Sequence, residues 1–296
     1  LHHNAREGQL PVSYNDLMRF TYTVPLKDRN KQDTLWETAL YDTQQLAHLK
    51  EGLVQIYALI KTEGDLSYTK HLDVARIDFC SFGNSQPFRI RIVNKFNDNY
   101  DHYYIKKADA SRIYGLELEH LLSPNRINYF TDRNTLVEEH IAGIPGDVFL
   151  KQHLNEPHTN KIRLAKEFVK FNERCFVRLL GDMRSYNFVI VVTPDFESSQ
   201  IRVRAMDFDQ QSHHARKNFY LPQFFKENKE LVDICMKHLN KDSIEQYQVE
   251  ERTMMAYRLI NSRTRIKELV ETMMFDDISS WAKIKQLADE LSQRVH

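Results

Sequence analysis

The spacing of apolar residues changes from strand-like to helical near residue 143 of this chain of 296 residues, and that change limits the folds open to it. From about residue 76 to residue 142, short apolar runs alternate with polar residues, a pattern that predicts β-strands. After residue 143 most apolar residues recur at helical spacing instead. Strands grouped in one part of a chain and helices in the next are typical of an α+β fold.

The strand region, residues 76–142, predicts an antiparallel sheet domain that one helix interrupts. The helix spans Ala110 to Leu122, where apolar residues share one stripe. The predicted strands are Ile77–Cys80, Phe88–Val93, Tyr103–Lys106, Asn128–Phe130 and Thr135–His140.

Residues 1–75 predict an N-terminal helical extension. Its main element is one long helix from Thr34 to Ile60, which begins with Thr34 and Glu37 as a capping box. Asp42 interrupts the apolar seam of this helix. Two roles of the helix 34–60 stay open: contact with a partner protein through a coiled coil, or packing on its own domain.

Residues 143–296 predict a mainly helical domain that contains one hairpin. The segment Asn160–Leu179 is amphipathic. After it, Phe188–Val192 and Ile201–Ala205 are short apolar strands on either side of a turn at Thr193–Gln200.

Composition excludes several classes of function. Lysine plus arginine total 41 and aspartate plus glutamate total 41, so the chain lacks the basic excess that drives broad nucleic-acid binding. Three distant cysteines without a CxxC spacing indicate reduced thiols in a cytoplasmic protein. No apolar run approaches the ~20 residues of a membrane span. The 13 histidines, His213 and His214 included, lack metal-ligand spacing and are expected on the surface.

One segment combines the residue types that phosphoryl transfer requires. That chemistry needs the phosphates held, Mg²⁺ bound by oxygen ligands, and a carboxylate near the attacking hydroxyl. Asp182 and Asn187 lie five residues apart before one predicted strand, and Asp207 follows the next strand. A chain with 21 Asp and 18 Asn contains such a pair by chance, so the order of elements carries the argument. Asn187 precedes the first strand of one predicted hairpin and Asp207 follows the second, so we expect them to lie close enough to share an ion.

These motifs resemble the protein-kinase-like superfamily, and its aminoglycoside/choline phosphotransferase branch in particular. Gly181-Asp182 with Asn187 resembles the HGDxxxxN catalytic loop of that branch, and Met206-Asp207-Phe208-Asp209 resembles its counterpart of the DFG motif. Tyr104-Ile105-Lys106 resembles the phosphate-binding lysine strand, and the run from Glu138 to Gly146 resembles the hinge.

The resemblance covers residues 77 to about 209 and implies a two-lobed kinase-like fold, with an antiparallel-sheet N-lobe and a mainly helical C-lobe. It implies an enzyme that uses ATP and Mg²⁺ to move the γ-phosphate to a hydroxyl of a small molecule, a sugar or a lipid-linked sugar. Asp182 is then the general base, and Asn187 and Asp207 are magnesium ligands. Asp209 either binds a second ion or caps the next segment.

The resemblance also implies the residues that bind the nucleotide phosphates. Lys106 would contact the α- and β-phosphates, while strand alternation sends its neighbour Lys107 to the opposite face. Its carboxylate partner would come from the following helix, where Glu117 points inward and Glu119 is the alternative.

Two backbone segments complete the implied nucleotide site. The turn around Gly83 either covers the phosphates with its N–H groups or is an ordinary hairpin. Backbone groups from Glu139 to Ile141 would face adenine.

Two other interpretations stay open. One is a pseudokinase-type binding module without turnover, which Leu180 in place of the family's histidine and the single glycine of the phosphate loop favour. The other is a kinase that acts on protein. Retention of Lys106, Asp182, Asn187 and Asp207 together favours an enzyme.

Overall fold

The computed structural model describes residues 6–28, 30–62, 64–194, 199–213, 216–276 and 280–293. The predicted turn at Thr193–Gln200 and the pair His213–His214 therefore lie partly outside the described residues. The chain divides into two compact units. Unit 1 comprises Leu1–Asp109 and Ile127–His140, and unit 2 comprises Ala110–Arg126 and Ile141–His296.

Unit 1 contains an antiparallel sheet and two helices. The strands are β1 (Tyr22–Lys27), β2 (Asp33–Leu40), β3 (Leu72–Phe79), β4 (Phe88–Asn94), β5 (Tyr100–Lys107), β6 (Tyr129–Asp132) and β7 (Thr135–Glu139), and the helices are α1 (Tyr14–Leu17) and α2 (Thr43–Thr62). The seven strands pair in the order β1-β2-β3-β4-β5-β7-β6. The five strands predicted between residues 76 and 142 are thus confirmed.

The helix predicted over Thr34–Ile60 is wrong in its first part. Residues Asp33–Leu40 are strand β2, which pairs with β1, and only α2 is helical. The Thr34 hydroxyl does not cap a helix but donates to the Leu26 carbonyl across the hairpin, at 2.6 Å. Asp42 is the residue that starts α2, because its carboxylate accepts from the Gln45 N–H at 2.9 Å. The first 75 residues therefore add strands to the sheet as well as α2, and are not a helical extension.

Helix α2 packs on its own unit. Its apolar residues Leu49, Leu53 and Ile56 recur three and four positions apart and are fully buried. They contact the sheet face that includes Ile90 and Ile105. Alternation along each strand places the polar side chains on the opposite face.

Unit 2 is mainly helical and contains one small sheet. Its elements are α3 (Ala110–Leu122), β8 (Ile144–Pro145), α4 (Gly146–Gln152), α5 (Lys161–Arg178), β9 (Phe188–Pro194), β10 (Ser199–Ala205), α6 (Lys229–His238), α7 (Lys241–Asn261), α8 (Arg263–Met274) and α9 (Trp281–Gln293). Helix α3 has the predicted bounds, although its contacts assign it to unit 2. The predicted hairpin is confirmed as β9 and β10, and β8 pairs with β9 at its other edge.

The core of unit 2 joins helix α3 to the C-terminal helices. Leu118 and Leu122 of α3 pack with Met255, Val270 and Leu287, which lie on α7, α8 and α9. The described chain is therefore mixed α+β, with the antiparallel sheet toward the N-terminus and helices toward the C-terminus. Among the described helices, none has the length and apolarity to cross a bilayer.

Candidate functional site

The loop that carries Asp182 is tied by backbone bonds to the segment that follows Asp207. Helix α5 ends at Leu179, which adopts the left-handed conformation with φ 53°. The N–H of Ser212 donates to the Leu179 carbonyl at 2.8 Å, and the N–H of Gly181 donates to the Gln210 carbonyl at 3.1 Å. These bonds place the two predicted acidic loops side by side within unit 2.

Asn187 connects Asp182 to the root of the β-hairpin. Its amide nitrogen donates to the Asp182 carbonyl at 2.7 Å and lies 3.5 Å from the Asp182 Oδ2 atom. The Asn187 carbonyl accepts from the N–H of Met206 at 3.0 Å, which extends the β9–β10 ladder to the residue before Asp207. Asn187 therefore contacts Asp182 directly and, through the backbone, the residue before Asp207.

Close packing fixes both loops. A Cβ atom on Gly146 would lie 2.4 Å from the Ser185 carbonyl oxygen, so only glycine permits the start of α4 to approach the Asp182–Asn187 loop this closely. A Cβ atom on Gly115 would lie 2.9 Å from the Cβ of Phe208. Helix α3 therefore packs directly on the Asp207–Asp209 segment.

Arginines that the sequence analysis missed hold the acidic residues. Arg112, on the first turn of α3, lies 2.8 Å from Asp207 Oδ1 and 3.8 Å from Asp209 Oδ2. Arg184 lies 2.7 Å from Asp182 Oδ1 and 3.1 Å from Glu227. The hydrogen bond to Asp182 raises the pKa of Arg184, so this guanidinium stays charged.

Two oxygen atoms of this site are of the type that binds magnesium. Within the described part of the chain, Asn187 Oδ1 and Asp207 Oδ2 accept no hydrogen bond. Both are the hard oxygen ligands that Mg²⁺ prefers. Among the described residues, however, no three His, Cys, Asp or Glu side chains form a metal-binding group. A metal at this place would therefore need further ligands beyond Asn187 and Asp207.

The two glutamates of α3 pair with arginines of unit 2. Glu117 is buried, as predicted, and accepts from both Arg265 Nε and Nη2, at 3.0 and 2.6 Å. Glu119 is also buried and forms a salt bridge with Arg178.

In unit 1 the carboxylate partner of Lys106 is Glu138. The Lys106 ammonium lies 2.6 Å from Glu138 Oε2, and both residues are buried, at 8% and 5% exposure. The pairing of Tyr104 with Glu138 in adjacent strands puts Glu138 diagonally across from Lys106 on the same face of the sheet. This pairing corrects the prediction of a helix carboxylate, Glu117 or Glu119. Lys107 is exposed, which confirms that the two lysines face different surroundings.

The turn at Gly83 closes against the end of β5. The Gly83 carbonyl accepts from the Gln86 N–H at 2.8 Å, and the Ser85 carbonyl accepts from the Lys107 N–H at 3.3 Å. The turn therefore lies beside the strand end that carries Lys106 and Lys107.

The predicted adenine segment spans the point at which the chain passes from unit 1 to unit 2. The N–H of Glu139 donates to the Asn128 carbonyl at 2.9 Å, and the Glu139 carboxylate accepts from the Asn128 N–H at 2.9 Å. The backbone N–H of Glu139 is thus used inside unit 1. Ile141, the first residue of this part of unit 2, is half-buried.

Sequence signals existed for only some of the missed residues. Arg184 lies two positions after Asp182 in the same loop, where a cation beside a carboxylate could have been noted. Glu138 could have been found by pairing its predicted strand with that of Lys106. Arg112 has no local signal, because its contact with Asp207 joins residues 95 positions apart.

A comparison with protein-family models finds no match for this sequence, and a comparison with curated proteins finds none either.

Proposed function

We propose that the chain is an ATP- and magnesium-dependent phosphotransferase that moves the γ-phosphate to a hydroxyl of a small molecule, a sugar or a lipid-linked sugar. The observation that carries the proposal is the Asn187 amide. The Asn187 side chain donates to the Asp182 carbonyl, and the Asn187 backbone carbonyl accepts from the N–H of Met206, the residue before Asp207. The residues that this contact joins would supply the general base and the oxygen ligands that phosphoryl transfer requires.

Asp182 would act on the acceptor hydroxyl. Its backbone has φ 56°, in the left-handed region that few residues other than glycine, Asn and Asp adopt. The Asn187 amide and the Arg184 guanidinium hold this loop from two sides. The half-buried carboxylate would accept a proton as the hydroxyl attacks.

Asn187 and Asp207 would hold magnesium through Oδ1 and Oδ2. When bound, the metal would neutralise charge on the transferred phosphoryl group. Within unit 1, Lys106 carries the positive charge that the family resemblance assigns to the nucleotide phosphates. Glu138 holds the Lys106 ammonium in one orientation through a 2.6 Å hydrogen bond.

A binding module without turnover is the second candidate, and the Arg112–Asp207 salt bridge favours it. A guanidinium on a proposed metal ligand neutralises its charge and uses one of its oxygens. Such a chain would bind nucleotide weakly or without magnesium. Unlike the first candidate, it would not transfer phosphate.

A nucleotide thermal-shift scan tests both candidates. ATP with magnesium should raise the melting temperature, because a ligand that binds only the folded state stabilises it by about 2.7 kcal/mol at ~100 times its dissociation constant. Release of ADP with a panel of hydroxyl acceptors would then distinguish the enzyme from the binding module. If no purine nucleotide shifts the melting temperature at millimolar concentration, both candidates are wrong.

A further inference from the structure

A polar cavity of about 510 Å³ in unit 2 has no role in the proposed function. It lies where the end of α3 meets the junction of α7 and α8. Four arginines line it, and no aspartate or glutamate is among the described residues that line it. The arginines are Arg126, Arg258, Arg263 and Arg265. The whole chain has equal numbers of cationic and anionic side chains, so this is a strong local excess of positive charge.

Only one of the four arginines is paired with a carboxylate at salt-bridge distance within the described residues. Arg265 is neutralised by Glu117, at 2.6 Å. Arg126, Arg258 and Arg263 form no salt bridge within the described residues. The Nη1 atom of Arg258 is buried and makes no hydrogen bond there. Buried charged donors are almost always paired, so this atom indicates a missing acceptor.

The charges around Arg258 also indicate a missing anion. Burial lowers the pKa of Arg258, and the charges of Arg174 and Arg126 lower it further against the opposing effect of Glu251. Cations held this close repel one another. An anion in the cavity would relieve that repulsion and satisfy the free donor.

The start of helix α8 adds backbone donors to the same cavity. Ser262 precedes the helix and lines the cavity, yet its side chain makes no capping hydrogen bond. The first turn of a helix carries N–H groups without helical partners and a partial positive charge. Phosphate groups bind at such helix starts, and arginine forks match their oxygens in pairs.

We propose that this cavity binds the phosphate group of a small phosphorylated ligand. Its volume exceeds that of one phosphate and lies in the range of sites for small molecules. An apolar groove of about 640 Å³ adjoins it and shares Ile260 and Arg263. The phosphate therefore belongs either to a soluble phosphate ester or to a lipid headgroup whose chain lies in the groove.

Calorimetric titration in magnesium-free buffer tests the proposal with three probes: inorganic phosphate, glycerol phosphate and a short-chain phosphatidic acid. At least one should bind saturably. The exposed pair Arg126→Gln and Arg263→Gln, combined, should weaken that binding by about 10- to 100-fold, because each removes a charge-assisted contact. Tighter binding of phosphatidic acid than of glycerol phosphate identifies a lipid source, and the reverse identifies a soluble ester.

Two further variants serve as a control and as a second test. Arg202→Gln removes an exposed arginine of unit 2 that does not line the cavity, and it should leave binding unchanged. Arg258→Gln should weaken binding as well, and if it does not fold, the exposed double variant still decides the question. The proposal fails if no probe binds at millimolar concentration, or if the double variant and Arg202→Gln bind alike. ATP–magnesium shifts that persist in the double variant would separate this site from the proposed nucleotide site.

Discussion

The guanidinium of Arg112 lies 2.8 Å from the carboxylate of Asp207. Arg112 is almost fully buried on α3, whereas the Asp207 side chain is 30% exposed. Asp207 is therefore held from its buried side by a cation, while its other oxygen remains open to solvent or a ligand. Any metal that binds Asp207 meets a carboxylate whose charge is already partly neutralised.

Replacing Arg112 with glutamine should strengthen magnesium binding. Removal of the guanidinium restores the full negative charge of Asp207 and frees its Oδ1 atom. Since a hydrogen bond to a charged group contributes about 1.5–3 kcal/mol, we expect the midpoint of metal binding to fall by about tenfold or more. Mn²⁺ electron paramagnetic resonance, or melting temperature against magnesium concentration, measures that midpoint.

Arg112→Lys is the matched control because it keeps the positive charge. It should bind metal no better than the parent chain. An unchanged midpoint in Arg112→Gln would show that Arg112 does not compete with a metal at Asp207.

Lys106 and Lys107 should differ sharply in their effect on stability. Lys106→Met leaves the carboxylate of Glu138 buried without its partner, and breaking a buried pair in this way costs about 3–5 kcal/mol. Lys107 is exposed, so Lys107→Met should change the free energy of unfolding by less than about 0.5 kcal/mol. Urea unfolding measures both.

The double variant Lys106→Met, Glu138→Leu tests the cause. Replacing a buried pair by apolar residues of similar volume is often neutral, so the double variant should recover most of the lost stability. Additive losses in the two single variants would contradict a direct Lys106–Glu138 interaction.

The sequence predicted which residues lie close together where local order decides the structure, and it failed where distant residues decide it. Asp182, Asn187 and Asp207 flank one hairpin, so the strand pattern alone brought them together. The partner Glu138 depends on the pairing of two predicted strands, and Arg112 depends on helix packing, which no local pattern encodes. Residues 33–40 show the same limit. Their apolar spacing suits a helix, but β1 supplies a pairing edge that makes them a strand.

Stability should fall as the pH is lowered, because of His102. Burial lowers the pKa of His102 to about 4, and the charges of Arg89, His140 and Arg91 act in the same direction against Asp101. The unfolded chain takes up the proton near pH 6.5, and the folded chain only near pH 4. The stabilising effect is therefore complete above about pH 6.5 and is lost as the pH falls toward 4.

Urea unfolding between neutral pH and about pH 5 measures this slope. His102→Asn should flatten it, while His48→Asn, at an exposed position of α2, should leave it as in the parent chain. Burial also lowers the pKa of His140, so part of the slope should persist in His102→Asn and vanish only when His140 is replaced too. Equal slopes in the parent chain, in His102→Asn and in the variant that lacks both His102 and His140 would show that these histidines do not cause the pH dependence.

Variants of the two aspartates Asp182 and Asp207 should lose different properties. Asp182→Asn should leave nucleotide binding nearly intact while turnover falls by about 10²–10⁴-fold, the usual contribution of a positioned general base. Its folding stability should change little, because Arg184 keeps its salt bridge with Glu227. Asp207→Asn should remove the magnesium-dependent part of nucleotide binding, which calorimetry with and without magnesium measures.

Asp207→Asn needs a matched control, because it also removes the negative charge that lies 2.8 Å from the buried guanidinium of Arg112. Loss of stability could then be mistaken for loss of binding. The double variant Arg112→Gln, Asp207→Asn removes both charges, so it should fold more stably than Asp207→Asn alone and still lack magnesium-dependent binding. If restored stability also restores magnesium-dependent binding, Asp207 is a structural partner of Arg112 and not a metal ligand. Equal loss of nucleotide affinity in Asp182→Asn and Asp207→Asn would contradict separate roles for the two residues.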